Sequence, residues 1–279
     1  MRRAIIYANY CRGSRLAGYI PGALEEYRRH AERLIFVTTS PLGSADSAVV
    51  RRRCDLLIER PNVGFDFLSW KEGMRAVPDA GEYDEIILVN SSVIGPFAPI
   101  DEMLAALTAL PADIVGLSQN WQCGRHLQSY FLVFKKPVIR SGDLTEFLDG
   151  IRQLSDKAEV VSRYEVGLTS FFESRGYRLA ALYALPERTS AFFRLVLWLQ
   201  NASLLEPRRS YYSARHLKDE VQTNPVHYCW RAILESGIPY VKKELLRSNP
   251  LFVRTKAIAP YLRRRYRISQ ATLLSDALS

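Results

Sequence analysis

The sequence predicts an α/β fold organised around an open, mostly parallel central sheet of Rossmann-like layering. Two observations predict it. Short apolar runs recur along the chain and end in polar residues, with a charged amphipathic stretch of helical period between them. Up to residue 92 the order reads βαββαβ with short strands, the pattern of strands laid side by side in one direction. With 279 residues the chain is long enough for such a domain and needs no covalent staples.

The elements follow in order. Residues 4–8 form the first strand, the amphipathic stretch 24–33 a helix, and residues 34–38 the second strand. A third buried strand covers 54–58, a helix 70–77, and a fourth strand 85–89 stops abruptly at Asn90-Ser91-Ser92. Then come a helix over 101–110, a strand over 113–117, a loop over 118–127 and an apolar strand over 130–135. Helices are expected over 144–154 and 165–175, the second closed by Gly176, and a last strand over 179–183. Residues 189–205 read as helical, aromatic and aliphatic with few charges, either a core helix or an in-plane membrane contact. With no internal repeat or low-complexity segment, the partition is a catalytic domain over 1–250 and a basic C-terminal extension over 251–279.

Composition narrows the function. Thirty-eight Lys and Arg against 29 Asp and Glu give a formal charge of +9, which calls for an anionic partner. Residues 251–279 hold six basic residues and one acidic one, centred on Arg263-Arg264-Arg265-Tyr266-Arg267, a cluster suited to an anionic membrane surface. Nucleic acid is not expected, because no helix-turn-helix, aromatic RNP-type pattern or zinc motif accompanies the charge. Cys11, Cys54, Cys123 and Cys229 form no CxxC pair, so neither a zinc ribbon nor a disulfide framework is indicated and a reducing cytoplasm fits. The N-terminal apolar run reads as a strand rather than a signal peptide, and no apolar stretch is long enough to span a bilayer. The expected location is the cytoplasm, with the basic extension able to rest on the inner face of the cell membrane.

Open parallel sheets bind ligands at the carboxyl ends of their strands, so the residues that end strands are the candidates. The third strand runs into Asn62-Val63-Gly64-Phe65-Asp66 and the fourth into Asn90-Ser91-Ser92. Gly64 lets backbone approach a ligand closely, and Asp66 either binds a sugar hydroxyl or caps the following helix. Trp70 reads as core, and Lys71 is placed to reach a phosphate. His126 and Gln128 bring hydrogen-bonding groups into the strand at 130. Lys242, Lys243 and Arg247 are spaced so that some share a helical face.

Five strings, NVGFDFLSWKEG, YDEIILVNSSVIGPF, HLQSYFLVFKK, YEVGLT and NPVHYCWRAILESGIPYVKKELLRSNP, resemble the rhamnan synthesis protein F family in order and wording, over residues 62–250. The resemblance implies a glycosyltransferase of GT-A type that moves a deoxyhexose, rhamnose, from a nucleotide diphosphate to a lipid-linked glycan of bacterial surface polysaccharide, O-antigen or cell-wall rhamnan. A dTDP- or GDP-deoxyhexose is the implied donor. Asn62, Gly64, Asp66, Asn90 and Ser92 would hold it, His126 and Gln128 would take sugar hydroxyls, and Lys242 with Arg247 would face the diphosphate. An inverting transfer needs a carboxylate base; Glu165 is the first choice, with Asp66 and Asp113 open. The family commonly has an acid in the middle of the fourth-strand triplet, where this chain has Ser91. Neutral oxygens hold a hard dication weakly, so no metal ligands are assigned: either the site works without Mg²⁺ or Mn²⁺, or the ligands of that ion lie elsewhere. The same departure supports an alternative, a non-catalytic membrane-associated scaffold of a polysaccharide assembly complex.

Overall fold

A computed structural model describes residues 1–11, 13, 15–121, 123–189, 192, 224–249, 253 and 255–268. The central sheet contains β1 (Arg3–Asn9), β2 (Arg33–Thr38), β3 (Leu56–Glu59), β4 (Glu85–Asn90), β6 (Ile114–Asn120), β7 (His126–Leu127), β8 (Phe131–Lys135) and β9 (Leu179–Tyr183). A separate two-stranded ribbon pairs β5 (Val93–Ile94) with β10 (Val241–Lys242). The strand order is β3-β2-β1-β4-β8-β6-β7, with β9 joined to β6. The first four strands are parallel, β8 runs antiparallel between β4 and β6, and β9 is parallel to β6. The expected mixed α/β architecture with a mostly parallel sheet is therefore the one observed.

Strand periodicity explains the layering. Side chains of β1 alternate between two clusters, Ile5 and Tyr7 on one face and Ala4, Ile6 and Ala8 on the other, and all five are buried. Because both faces are covered, the strands read as continuous apolar runs rather than alternating ones. Helices Ile20–Arg28 and Asp101–Ala109 cover the first face through Leu24, Tyr27, Leu104 and Leu107. Helices Phe65–Arg75, Asp143–Asp149 and Gly167–Glu173 cover the second through Trp70, Met74, Leu148 and Phe172. Gly73 sets the approach of Phe65–Arg75 to the sheet, since a Cβ there would lie 2.3 Å from Ile6 Cγ2.

Several boundaries differ from the sequence reading. A helix, Ser44–Arg51, separates β2 from β3, so the opening order is βαβαβαβ. It is short and rests on the surface, burying only Val50. The first helix begins at Ile20, where Pro21 in its first turn is pre-set for helical φ. The stretch expected as a helix from 165 is already helical from Lys157, and Val161–Val166 is a wider π-helical turn. The apolar stretch 189–205 lies, except for Thr189 and Phe192, outside the described residues.

Part of the basic extension packs on the body. Helix Ile258–Tyr266 seats Ile258 and Leu262 in a third cluster with Ile94, Trp230, Leu234, Val241 and Leu245. Among the described residues no helix is long and apolar enough to cross a membrane.

Candidate functional site

All four parallel strands deliver a residue to one cavity of about 500 Å³. Tyr10 follows β1, Thr39 follows β2, Asn62 follows β3, and Asn90 ends β4. This is the carboxyl edge of the parallel half, where loops diverge and leave a crevice. A shallower depression among Glu25, Arg28, Arg52 and Arg53 lies away from the strand ends, and its Arg28 and Arg53 are paired with Asp55 and Glu25.

The turn after β3 forms one wall. Gly64 (φ +68°) and Phe65 (φ +56°) are both left-handed, and Asp66 then stands in the first turn of Phe65–Arg75, on the cavity. Gly64 itself is buried and does not line the cavity; a Cβ on it would fall 2.0 Å from Leu68 Cδ1, so its contribution is the sharp entry into the helix. The Phe65 ring remains 37% exposed at the rim.

The β4 terminus is a closed hydrogen-bond system. Ser92 donates to Asn90 Oδ1 through its backbone N–H at 3.0 Å and its hydroxyl at 2.5 Å. Ser91 Oγ accepts the Tyr10 N–H at 2.9 Å and donates to the Tyr10 carbonyl at 3.2 Å, so this hydroxyl ties β1 to β4. Antiparallel pairing of β10 with β5, together with the Lys243 N–H on the Ser92 carbonyl at 2.9 Å, lays the C-terminal segment over the same triplet. Lys242 Nζ then donates to Ser92 Oγ at 3.0 Å and stands 5.5 Å from the Tyr130 ring centroid. Lys242 is thus a strand residue; helix Lys243–Arg247 starts one position later and adds Lys243, Glu244 and Arg247 to the wall.

Glu165 enters from the opposite side of the sheet. It lies in the π-helical turn, half-buried, and its Oε1 accepts the Ser129 N–H at 3.2 Å. Wide turns of this kind re-aim a side chain and recur at functional positions. The cavity wall therefore carries three cations, Lys242, Lys243 and Arg247, and three carboxylates, Asp66, Glu165 and Glu244.

Five of the expected residues, Asn62, Asp66, Asn90, Ser92 and Glu165, meet Lys242 and Arg247 in this one cavity. Others lie elsewhere. His126 is buried on β7 with Nδ1 2.9 Å from the Gly124 carbonyl, and is not on the cavity wall. Gln128 is also buried, bridging Ser118 Oγ at 2.7 Å and Asn224 Oδ1 at 2.7 Å; it stands behind Asn224, which does line the cavity. Strand β7 and the residue after it thus turn both side chains into the packed interior rather than onto this wall. Asp113 precedes β6, at the end of the strand away from the crevice, where it accepts the Arg178 N–H at 2.9 Å. Trp70 is core, its Nε1 bonded to the Val89 carbonyl at 3.0 Å.

Lys71 is not a phosphate contact. Its ammonium is buried and donates to the Asp149 carbonyl at 2.7 Å and the Ile151 carbonyl at 3.0 Å, closing the end of helix Asp143–Asp149. Lys71→Met leaves those carbonyls unsatisfied and is expected to lower stability by about 1–3 kcal/mol, read from the denaturant midpoint, with donor KM unchanged. A raised donor KM at unchanged stability would return Lys71 to the site.

The β4 triplet does not fit a hard dication. Its hydroxyls and amide are engaged with one another and with Tyr10, and an ammonium already stands against Ser92. Among the described residues, Glu26, His30 and Asp101 form the one three-residue group with ligand atoms within 4.8 Å of each other, and it is outside the cavity. Burial pushes the Glu26 carboxyl up, but the Ile100 N–H, His30 and Arg29 together bring it below the usual carboxylate range.

Sequence reasoning passed over Tyr10, Thr39, Asn224 and Glu244, which also line the wall, as does Ser129 at the end of the loop from His126. Tyr10 and Thr39 carried a usable signal, as the first polar positions after their strands.

Comparison with known proteins gives a family and relatives. The rhamnan synthesis protein F family matches residues 34–271. The virulence protein VirA of Vibrio anguillarum is 28% identical over 204 residues, 71% of this chain and 64% of that protein. An uncharacterized protein of Sinorhizobium fredii is 30% identical over 164 residues, 57% of this chain and 43% of that protein. The chain thus spans less than two thirds of either relative. Among solved structures, 4-diphosphocytidyl-2C-methyl-D-erythritol synthase from Anaerococcus prevotii is similar at 13% identity and a TM-score of 0.41, over 67% of this chain and 88% of that one.

Proposed function

The chain belongs to the rhamnan synthesis protein F family, and from that premise we propose that it is a GT-A-type glycosyltransferase working without a metal. It moves a deoxyhexose, rhamnose, from a dTDP- or GDP-linked donor to a hydroxyl of a lipid-linked glycan in bacterial surface polysaccharide assembly. The observation that carries this reading is the juxtaposition in one cavity of three cations with three carboxylates at the carboxyl edge of the sheet. Cations there suit the two phosphates of a nucleotide sugar, and a carboxylate opposite them suits the acceptor proton.

In the proposed reaction Lys242 and Arg247 hold the diphosphate and offset the charge that builds on it as the glycosidic bond breaks. Asn62 and Asp66 take hydroxyls of the donor. Glu165 accepts the proton of the acceptor hydroxyl as its oxygen attacks the anomeric carbon from the face opposite the diphosphate, which inverts that centre. Ser129 fixes one oxygen of Glu165 and so orients the other.

A thermal-shift screen of nucleotide sugars, paired with an assay for released nucleotide, tests the reading. One dTDP- or GDP-deoxyhexose at 100 times its dissociation constant is expected to add about 2.7 kcal/mol of stability. No shift with any nucleotide sugar would end the proposal. Ser91 in place of an acid favours a second reading, a scaffold that retains the fold; a scaffold releases no nucleotide when donor and acceptor are both supplied.

A further inference from the structure

We propose that helix Ile258–Tyr266 and the residues beside it form a docking surface for anionic lipid headgroups, holding the protein on a membrane by charge without insertion. Lys256, Arg263, Arg264, Arg265 and Arg267 are all exposed here, and residues 251–268 contain no carboxylate. None of the five makes an ion pair with a described carboxylate. Glu235, the acid whose field reaches Arg265, is already bonded to Arg231 at 2.9 Å.

The helix geometry decides how such a surface works. Ile258 and Leu262, one turn apart, face the third hydrophobic cluster. Successive residues lie about 100° apart around a helix, so Arg263, Arg264 and Arg265 fan over the solvent side. Tyr261 packs edge-on against Trp230 at 5.6 Å between ring centroids, and Tyr266 lies against Phe97 at 5.7 Å, which makes the platform firm. The apolar side chains are turned inward, leaving no greasy face to enter the bilayer, so attraction comes from the exposed cations alone. Fanned arginines suit lipid headgroups, which move laterally and gather around each charge; a nucleic-acid backbone demands a fixed spacing. The platform is also tied to the cavity, because Val241 and Leu245 of the same cluster alternate with Lys242, Lys243 and Arg247.

Flotation of the full chain with vesicles of phosphatidylcholine, alone or mixed with phosphatidylglycerol, tests the surface. Binding is expected only to the mixed vesicles and is expected to be released as salt shortens the Debye length from about 10 Å at 0.1 M to about 3 Å at 1 M. Each arginine near headgroups is worth roughly a fivefold change in affinity. Arg263→Glu/Arg264→Glu should therefore weaken binding by about 25-fold or more, whereas Arg51→Glu/Arg52→Glu, a charge-matched exposed pair elsewhere, should change it little. Equal binding to both vesicle types, equal loss in both double variants, or binding to a duplex oligonucleotide with none to vesicles would overturn the proposal. The salt and lipid arms use the unaltered protein and decide the matter even if a variant misfolds.

Discussion

Glu165→Gln is expected to lower kcat for sugar transfer by about 10²–10⁴-fold, the range for loss of a positioned general base, with donor affinity held within about twofold. The replacement is nearly isosteric. A glutamine oxygen still accepts the Ser129 N–H that holds Oε1 at 3.2 Å, so the π-helical turn and its packing around Tyr164 and Leu168 should survive. What disappears is the capacity to take a proton from the attacking hydroxyl. Because that contribution exists only in the transition state, the loss belongs in kcat and not in KM. Asp66→Asn is the companion measurement. Asp66 shares the cavity but stands in the first turn of Phe65–Arg75, where a carboxylate also stabilises the helix N-terminus. Its loss should raise donor KM with a smaller effect on turnover. If Asp66→Asn proved inactive while Glu165→Gln kept its rate, the base would be Asp66 and the roles assigned here would be exchanged.

The parts of the molecule readable from sequence are those governed by local periodicity. β1, β2, β4, β8 and β9 announce themselves as apolar runs because both faces of the sheet are covered, and helix Asp101–Ala109 because its apolar side meets the sheet. Ser44–Arg51 was not legible, since an eight-residue surface helix that buries only Val50 is too short for its period to stand out. The candidate site was legible at the strand ends, where chain order and sheet topology place Asn62 and Asn90 together. It was not legible where a side chain's direction decides. His126 and Gln128 differ from Ser129 only in which way β7 and the turn after it aim them, and sequence spacing does not report that. The contact of Lys242 with Ser92 spans 150 positions and depends on a two-residue ribbon too short to leave a pattern.

That ribbon carries the other large expected effect. Lys242→Met should reduce kcat by about 10²–10³-fold, as removal of one preorganised group that stabilises developing charge does elsewhere, and added Mn²⁺ should not restore it. The methionine keeps an unbranched stem of similar length and removes the ammonium, with its contact to the Tyr130 ring and its hydrogen bond to Ser92 Oγ. Rescue by a dication would need oxygen ligands that the β4 triplet does not offer. Ser91 Oγ is committed to both backbone groups of Tyr10, and Asn90 Oδ1 accepts twice from Ser92. Introducing the family's acid as Ser91→Asp would set a carboxylate against the Tyr10 carbonyl, which now accepts from the serine hydroxyl at 3.2 Å, and so would cost stability before it gained a metal. An ammonium brought in by β10 is the arrangement this local chemistry accepts, and in the proposed reaction it would tie leaving-group stabilisation to correct docking of the C-terminal segment. The unaltered enzyme should accordingly keep its turnover in EDTA, and Lys242→Arg should recover part of the rate lost in Lys242→Met. Turnover abolished by EDTA and restored by Mn²⁺ would show that a dication and not Lys242 meets the diphosphate.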